Sequence, residues 1–276
     1  MEAILLLAHK GVDYIDKFCE QFNNDKRYNI YIHYDTKLHL TEHDKLILQT
    51  KYGNIKSIIS KYSGTYFGMS LVDAELELLN IAMSDKDNTY FHLMSEQCYL
   101  LVSLNTFCAF FKHNSNVFMD FQYDKEGWQI IDKDKGLRWA GSQWWSLPRR
   151  AVDWLQQIIS TTDYDSVFRE ALLKYNAGRE IRIIAADETY FTNLFKLYDN
   201  DFIYYDNMRF YDFTWPLIDF CHPHPLTILK LRKYINDGII GKLIGRKIDY
   251  KNLECTKLLQ QIQYINRYAG DFTSIT

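Results

Sequence analysis

The first half of the chain alternates short apolar runs with stretches of helical periodicity. Four apolar runs predict buried strands: AILLLA (3–8), YNIYIHYD (28–35), IKSIIS (55–60) and YFHLMS (90–95). Between these runs, residues 12–23, 41–50 and 70–83 repeat apolar side chains at the spacing of amphipathic helices. The alternation predicts an α/β fold with a mostly parallel, Rossmann-like central sheet, and such sheets bind ligands at the carboxyl ends of their strands.

The second half mixes short strand-like runs with helices. A charged stretch at 124–138 predicts a surface loop, and Pro148 fits the first turn of a helix that runs to about residue 160. Further elements are expected in this order: strands at 202–205 and 208–213, a helix near 227–236, a basic segment at 241–251 and a C-terminal helix from about 252. Because the chain contains no internal repeat and no clear linker, we expect a single domain over residues 1–276.

One segment joins two adjacent carboxylates to a helical pattern. In IIAADETYFTNLF (183–195), Asp187 and Glu188 end an apolar run. The apolar stripe that follows consists of Tyr190, Phe191, Leu194 and Phe195. The pattern predicts a helix with Asp187 as its N-cap and Glu188 as its first residue. Since acidic residues favour the first turn of any helix, the residues alone leave a structural role open beside a catalytic one.

The composition indicates an ordinary globular protein with a sizeable core. The chain has 276 residues, of which 47% are hydrophobic and 24% charged. The net charge of −3 argues against broad nucleic-acid binding, which needs a basic footprint. The 21 Tyr, 17 Phe and 6 Trp residues fit both core filling and stacking surfaces for sugars or bases, so aromatic content does not decide the function.

The cysteines and the N-terminus bear on the compartment. Five scattered cysteines without CxxC spacing predict reduced thiols and argue against a zinc site. The apolar run at 3–8 is too short for a transmembrane helix, and no basic leader precedes it. We therefore expect a cytoplasmic protein without a transmembrane segment, with room for a peripheral position at the inner face of the membrane.

Several familiar site motifs are absent from the sequence. There is no Walker A loop, no GxGxxG after a strand, no HExxH and no GxSxG. No Asp-x-Asp follows a strand where it would hold a divalent cation, and the HPHP at 222–225 is more typical of a rigid turn than of a metal site. A glycoside hydrolase needs two carboxylates that flank the bond, whereas Asp187 and Glu188 are adjacent and diverge.

Seven stretches, taken in order, resemble one enzyme family. They are IYIHYDTK (30–37), YFGMSLVDAELELLNIA (66–82), YFHLMSEQCYLL (90–101), GSQWWSLPRRAVDWL (141–155), ADETYFTNLF (186–195), MRFYDFTW (208–215) and HPLTILKL…IGRKID (224–249). Together they resemble the core-2/I-branching β-1,6-N-acetylglucosaminyltransferases, a family that includes the peptide O-xylosyltransferases. The resemblance implies a GT-A-like fold and an inverting glycosyltransferase that needs no metal, in the form of a bare catalytic domain of the bacterial type.

The resemblance also implies roles for particular residues. An inverting transfer needs a base to take the acceptor proton and positive charge on the leaving diphosphate. The base carries over to Glu188, and the diphosphate clamp to Lys247 with Arg246 beside it. The chain departs from the family at Leu226, where many members have a basic residue, and Arg232 is a candidate substitute.

Donor and acceptor residues are implied in the same way. His9, Asp35 and Tyr66 resemble the positions that line the uridine, although a structural histidine is an open alternative for His9. The acceptor candidates are Trp144, Trp145, Arg209 and Trp215, for which core filling is the alternative. The family's SGQDYP block reads SEQCYL at 95–100, a change that alters either the donor sugar or the local turn.

These inferences lead to one expected function and one alternative. We expect transfer of a sugar, by family default N-acetylglucosamine, from a UDP-sugar to a glycan acceptor in bacterial surface polysaccharide or lipooligosaccharide synthesis. Residues up to about 115 would bind the nucleotide, and residues from about 116 to 276 would carry the acceptor and catalytic groups. The alternative is a non-catalytic glycan- or nucleotide-binding protein on the same fold, motivated by the altered block at 95–100 and by Leu226.

Overall fold

The computed structural model describes residues 1–65, 68–123, 131–177, 184–210, 226–227, 229, 231–233, 242–248 and 252–268. Within these residues the strands are β1 (Glu2–Ala8), β2 (Tyr28–Tyr34), β3 (Ile55–Ile59), β4 (Tyr90–Ser95), β5 (Cys98–Leu100), β6 (Val117–Phe118), β7 (Gln122–Tyr123), β8 (Trp139–Ala140), β9 (Ser146–Pro148), β10 (Tyr204–Tyr205), β11 (Arg209–Phe210) and β12 (Ile244–Arg246). The helices are α1 (Val12–Glu20), α2 (Glu42–Lys51), α3 (Ser70–Met83), α4 (Leu104–Lys112), α5 (Arg149–Thr161), α6 (Tyr164–Asn176), α7 (Tyr190–Leu197) and α8 (Leu253–Tyr268).

A seven-stranded sheet in the order β10-β6-β9-β4-β1-β2-β3 forms the centre of the fold. Strands β4, β1, β2 and β3 run parallel to one another, while β9 runs antiparallel to β4 and to β6. The predicted mostly parallel α/β fold is therefore confirmed. The four strands and three helices predicted for the first half are all present, and α3 has the predicted bounds.

The central strands are buried on both faces, which explains their unbroken apolar sequences. Ala3 and Leu5 of β1 pack on the side of α3, α5, α6 and α7, and Ile4 and Leu6 pack on the side of α1 and α4. Successive side chains of a strand point to opposite faces, so one short run supplies both halves of the core. The ends of these buried strands carry the loops of the site.

The second half departs from the sequence prediction at several points. Pro148 ends β9 and precedes α5, instead of lying in the first turn of that helix. Helix α6 and strand β12 were not predicted. The part of the expected surface loop that is described is anchored, since Ile131 and Leu137 are buried and their backbones are hydrogen-bonded; residues 124–130 lie outside the described residues.

A small second sheet has the order β11-β12-β5, and its strand β5 follows the carboxyl end of β4 in the large sheet. Strand β12 pairs parallel with β11 and antiparallel with β5, which follows β4 after a two-residue turn. A separate apolar cluster that includes Leu226, Ile248 and Leu259 supports this sheet from α8. This packing brings the end of β12 close to the carboxyl ends of β1 and β4. Among the described residues no helix has the length and apolarity to cross a membrane.

Candidate active site

The carboxyl ends of β1 and β4 lie side by side at the middle of the large sheet, the place where α/β proteins have a ligand-binding crevice. The two strands are neighbours, but the strands that follow them in the sheet lie on opposite sides, which is the arrangement that opens a ligand site in α/β proteins. His9 follows β1 and Glu96 follows β4. The His9 backbone N–H donates to Glu96 Oε1 at 2.8 Å, and His9 Nδ1 lies 3.3 Å from the same oxygen.

Asp35 follows β2 at the same edge, as expected for a donor-binding residue. Its carboxylate accepts hydrogen bonds from the backbone N–H groups of Lys37 at 2.8 Å and Gly64 at 3.1 Å. Lys37 Nζ in turn donates to the Gly64 carbonyl. The structure thus holds Asp35 at the predicted edge as an organiser of two loops, and its role toward a nucleotide stays a prediction. Tyr66 lies outside the described residues.

The prediction that Asp187 is the N-cap of the following helix is wrong. Helix α7 begins at Tyr190, and its N-cap is Thr189, whose side chain makes no capping bond. Both acids therefore precede the helix, in a turn closed by a bond of 2.8 Å from the Tyr190 N–H to the Ala186 carbonyl. Glu188 is consequently not a helical residue, and its half-buried side chain belongs to the turn.

Gly141 fixes this turn from the opposite strand segment. Its backbone N–H donates to the Glu188 carbonyl at 2.8 Å. A Cβ at position 141 would lie 2.0 Å from the Asp120 carbonyl oxygen and 2.9 Å from Thr192 Cγ2, so no other residue fits without moving the backbone. The glycine of the Gly-Ser-x-Trp block therefore permits the close approach that positions Glu188.

The two carboxylates have raised proton affinities. Burial raises the pKa of Asp187 to about 6, although the positive charge of Arg246 opposes the rise. Burial and the neighbouring Asp187 carboxylate raise the pKa of Glu188 to about 7, again opposed by Arg246. A carboxylate with a pKa near neutral pH is suited to accept a proton during a reaction and to release it afterwards.

Glu75 is a third carboxylate at this place, and it was not among the predicted site residues. Its side chain is fully buried on α3, and its Oε1 accepts from Gln143 Nε2 at 2.9 Å. Burial and then the charge of Asp187 raise its pKa well above the ordinary value. The available signal was a carboxylate three residues after Val72 on an apolar helix face, a position that the core normally fills with an apolar side chain.

Arg246 lies over the face of Trp144, with its guanidinium carbon 4.1 Å from the ring centroid. The indole is 4% exposed and supports the arginine from below. Arg246 Nε is buried and has no hydrogen-bond partner among the described residues. This placement makes Trp144 a support for Arg246, whereas it had been predicted to bind the acceptor.

Backbone pairing positions Lys247 beside the crevice. The Leu226 N–H donates to the Lys247 carbonyl at 2.8 Å, and the Ile248 N–H donates to the Gln97 carbonyl at 2.9 Å. The segment is therefore fastened to the turn that carries Glu96. Lys247 and Arg246 both lie near enough to His9 to lower its pKa.

The remaining predicted site residues lie elsewhere. Arg232 is exposed and pairs with Glu254 at 2.8 Å, so its charge is directed to a surface carboxylate. Trp145 is 1% exposed and packs on Phe191, which places it in the core instead of on an acceptor surface. Arg209, 2% exposed, donates to backbone carbonyls and likewise cannot contact an acceptor in this arrangement. Trp215 lies outside the described residues.

In the part of the chain that is described, no group of three His, Cys, Asp or Glu side chains is arranged to hold a metal ion. The site consists of two sets of charged groups: a carboxylate set (Glu75, Asp187 and Glu188) and a cationic set (Arg246 and Lys247), with the imidazole of His9 beside the cations. The Gly-Ser-x-Trp block connects them, because Gly141 binds the Glu188 backbone, Gln143 binds Glu75 and Trp144 supports Arg246.

Solved structures define the class of fold. The galactosyltransferase LgtC, solved with donor and acceptor sugar analogs, superposes with a TM-score of 0.52 at 11% identity, over 95% of each chain. The glycosyltransferase GlyE of Streptococcus pneumoniae gives a TM-score of 0.45 at 8% identity, over 95% of this chain and 60% of its own. The match to LgtC shows the fold, which is that of the GT-A glycosyltransferases.

The sequence identifies the family within that class. The profile of the Core-2/I-Branching enzymes matches residues 3–233, so the chain belongs to the Core-2/I-Branching enzyme family. No curated protein matches the sequence. The predicted family is therefore confirmed, and the protein is a glycosyltransferase of that family.

Proposed function

We propose that the protein is an inverting, metal-independent glycosyltransferase that moves a sugar from a UDP-sugar to a hydroxyl of a glycan acceptor, with Glu188 as the base. The observation that supports this proposal is the proximity of Arg246 to the turn that contains Asp187 and Glu188. The arginine is near enough to lower the pKa of both carboxylates, while burial keeps the pKa of Glu188 at about 7.

The two sets of charges match the two ends of a single displacement. Glu188 accepts the proton of the acceptor hydroxyl while the oxygen of that hydroxyl forms a bond to the anomeric carbon of the donor sugar. The bond from that carbon to the diphosphate breaks on the opposite side, and UDP leaves with the electron pair. Arg246 and Lys247 then stabilise the negative charge that develops on the diphosphate, which is the function a divalent cation serves in other enzymes.

The donor sugar and the acceptor are proposed more coarsely. N-acetylglucosamine is the family default, and a bacterial surface polysaccharide or lipooligosaccharide is the acceptor that we propose. The division into a nucleotide half up to about residue 115 and an acceptor half after it also stays a prediction. Arg246 and Lys247 would contact the donor from the second half, so both halves would contribute to donor binding.

Replacement of Glu188 by Gln tests the base. Gln keeps the size of the side chain but cannot take the proton, so we expect the turnover number to fall about a thousandfold. UDP affinity, measured by calorimetry, should change little because the diphosphate contacts remain. Unchanged turnover would overturn the assignment of the base. If the wild-type protein binds UDP but releases none from a panel of UDP-sugars, it is a binding protein instead.

Incubation with EDTA tests the absence of a metal. If Arg246 and Lys247 supply the positive charge, activity should be the same within about twofold with and without the chelator. A strict requirement for manganese or magnesium would show that the cationic set is not sufficient. The assay should be repeated after gel filtration, so that a tightly bound ion is removed before the comparison.

A further inference from the structure

One buried carboxylate at the crevice has no place in the displacement just described. Glu96 is 0% exposed, although it directly follows the central strand β4. Its Oε1 is shared by the His9 backbone N–H and His9 Nδ1, and its Oε2 has no hydrogen-bond partner among the described residues. A buried carboxylate is costly to keep, so a carboxylate with a single side-chain partner points to a function for that pair.

The geometry favours one ring nitrogen of His9 as the position of its proton. The carboxylate 3.3 Å from Nδ1 favours a proton on that nitrogen. In the neutral ring Nε2 is then an acceptor, and it becomes a donor only when the ring takes up a second proton. The His9 side chain is 49% exposed, so a ligand in the crevice can reach the ring while Glu96 stays buried behind it.

Charges on four neighbours decide whether His9 takes up that proton. Burial lowers the pKa of His9, Glu96 raises it, and the cations Lys10, Arg246 and Lys247 lower it. Without a ligand, the three cations disfavour another positive charge among them. An anion that binds to the cations reverses this effect, because it neutralises their repulsion and adds its own attraction.

We infer that Glu96 positions His9 to become a third cation beside Arg246 and Lys247, so that binding of the donor diphosphate is coupled to uptake of a proton by His9. Glu96 is a positioning residue in this scheme, since it orients the ring and offsets the repulsion from the cations. The proton comes from solvent and resides on Nε2, which then donates to a phosphate oxygen. The inference rests on the proposed function, and it gives the site the extra cation that neither Leu226 nor the surface-paired Arg232 supplies.

Calorimetry of UDP binding in buffers of different ionisation enthalpy counts the protons taken up. We expect a net uptake of at most one proton above pH 6.5, because the pKa of His9 without a ligand lies below that value. Glu188 also titrates near pH 7, so the comparison that matters is with His9→Gln, which keeps an amide donor but cannot titrate. The uptake in the wild type should exceed that in His9→Gln, and uridine, which lacks phosphate, should cause no uptake in either.

The substitution Glu96→Gln distinguishes a role of Glu96 in positioning and charging His9 from a purely structural role. The amide keeps the shape and an acceptor for the His9 backbone, but it removes the charge that favours the imidazolium. We expect UDP affinity to fall about tenfold at pH 7.5, uridine affinity to stay the same, and the proton uptake to drop to the level of His9→Gln. Glu96→Asp should restore part of the uptake, because it restores the charge.

The outcomes distinguish this inference from the proposed function. Equal proton uptake in the wild type, His9→Gln and Glu96→Gln would overturn the inference alone, provided that UDP binds and Glu188→Gln abolishes transfer. Loss of uridine affinity in Glu96→Gln would also overturn it, since the carboxylate would then shape the whole pocket. A wild-type protein that binds no UDP would overturn both.

Discussion

Two arginines on neighbouring strands of the small sheet make different kinds of contact. Arg209 on β11 and Arg246 on β12 each lie next to a tryptophan of the pair Trp144–Trp145, and β11 and β12 pair in parallel. Arg209 donates to the carbonyls of Leu93 at 3.0 Å and of Trp145 at 2.9 Å. Arg246 instead rests on the ring of Trp144. The Nε of each arginine is buried without a hydrogen-bond partner among the described residues, so the two differ in what their terminal nitrogens contact.

The difference shows which arginine serves the fold and which is available to a ligand. An arginine whose donors bind backbone carbonyls connects strands and has little to offer a substrate. An arginine held by ring stacking does not commit its terminal nitrogens to backbone carbonyls, and the charge of Arg246 acts on Asp187 and Glu188. Residue type and local sequence do not separate these two cases, whereas hydrogen-bond partners do.

The largest effect is expected from Arg209→Met. Methionine fills most of the volume but leaves the carbonyls of Leu93 and Trp145 without this donor, so the free energy of unfolding should fall by about 3 kcal/mol. Urea denaturation followed by circular dichroism measures the change. Arg209→Lys, which retains a charged donor group on a single nitrogen, should recover part of the loss. Wild-type stability in Arg209→Met would show that these bonds contribute nothing net.

Arg246→Met should have the reverse profile. The free energy of unfolding should change by less than about 1 kcal/mol, because Arg246 is held by the ring of Trp144 and not by bonds to backbone carbonyls like those of Arg209. The value of kcat/KM should fall about a hundredfold, since the charge that stabilises the leaving diphosphate is gone. Steady-state kinetics with the active UDP-sugar measures the change. A variant that is unstable but fully active when folded would place Arg246 with Arg209 as a structural residue.

The pH dependence of activity sharpens the comparison further. Glu188 must be ionised to act as a base, so kcat/KM should rise through a pKa of about 7 and fall about tenfold per pH unit below it. Arg246 lowers the pKa of Glu188, and the midpoint in Arg246→Met should therefore move to higher pH. Arg209→Lys should leave the midpoint in place. A midpoint near pH 4.5 in the wild type would contradict the assignment of Glu188.

Stretches with strong periodicity could be predicted from the sequence. Strands β1 to β4 and helices α1 to α3 follow from apolar runs and helical spacing, because burial on both faces of a strand leaves a local trace. Helix α6 was missed despite a regular stripe of Tyr164, Phe168, Ala171 and Leu172. Strand β12 was missed for a physical reason: it has three residues, and its partners β5 and β11 are distant in sequence.

The candidate site was predictable only in part, and for a related reason. Asp187 and Glu188 were found because the family motif marks them, but their position before α7 depends on Gly141 from another segment. Glu75 and Glu96 acquire their importance from burial beside other charges, which no local pattern encodes. The family resemblance made Arg209 an acceptor candidate, and its burial was not predictable because it depends on contacts with β4 and with Trp145 that are distant in sequence.

The smallest predicted effect on activity comes from substitution of Trp144, on whose ring Arg246 rests. Phenylalanine offers a weaker ring face than tryptophan, so Trp144→Phe should lower kcat/KM about threefold through a less firmly held Arg246. The matched control is Trp145→Phe, which removes part of a core ring packed on Phe191 and should lower stability without changing kcat/KM. If both substitutions lowered kcat/KM equally, ring support would not explain how Arg246 is positioned, and the contrast between the two arginines would depend on hydrogen bonds alone.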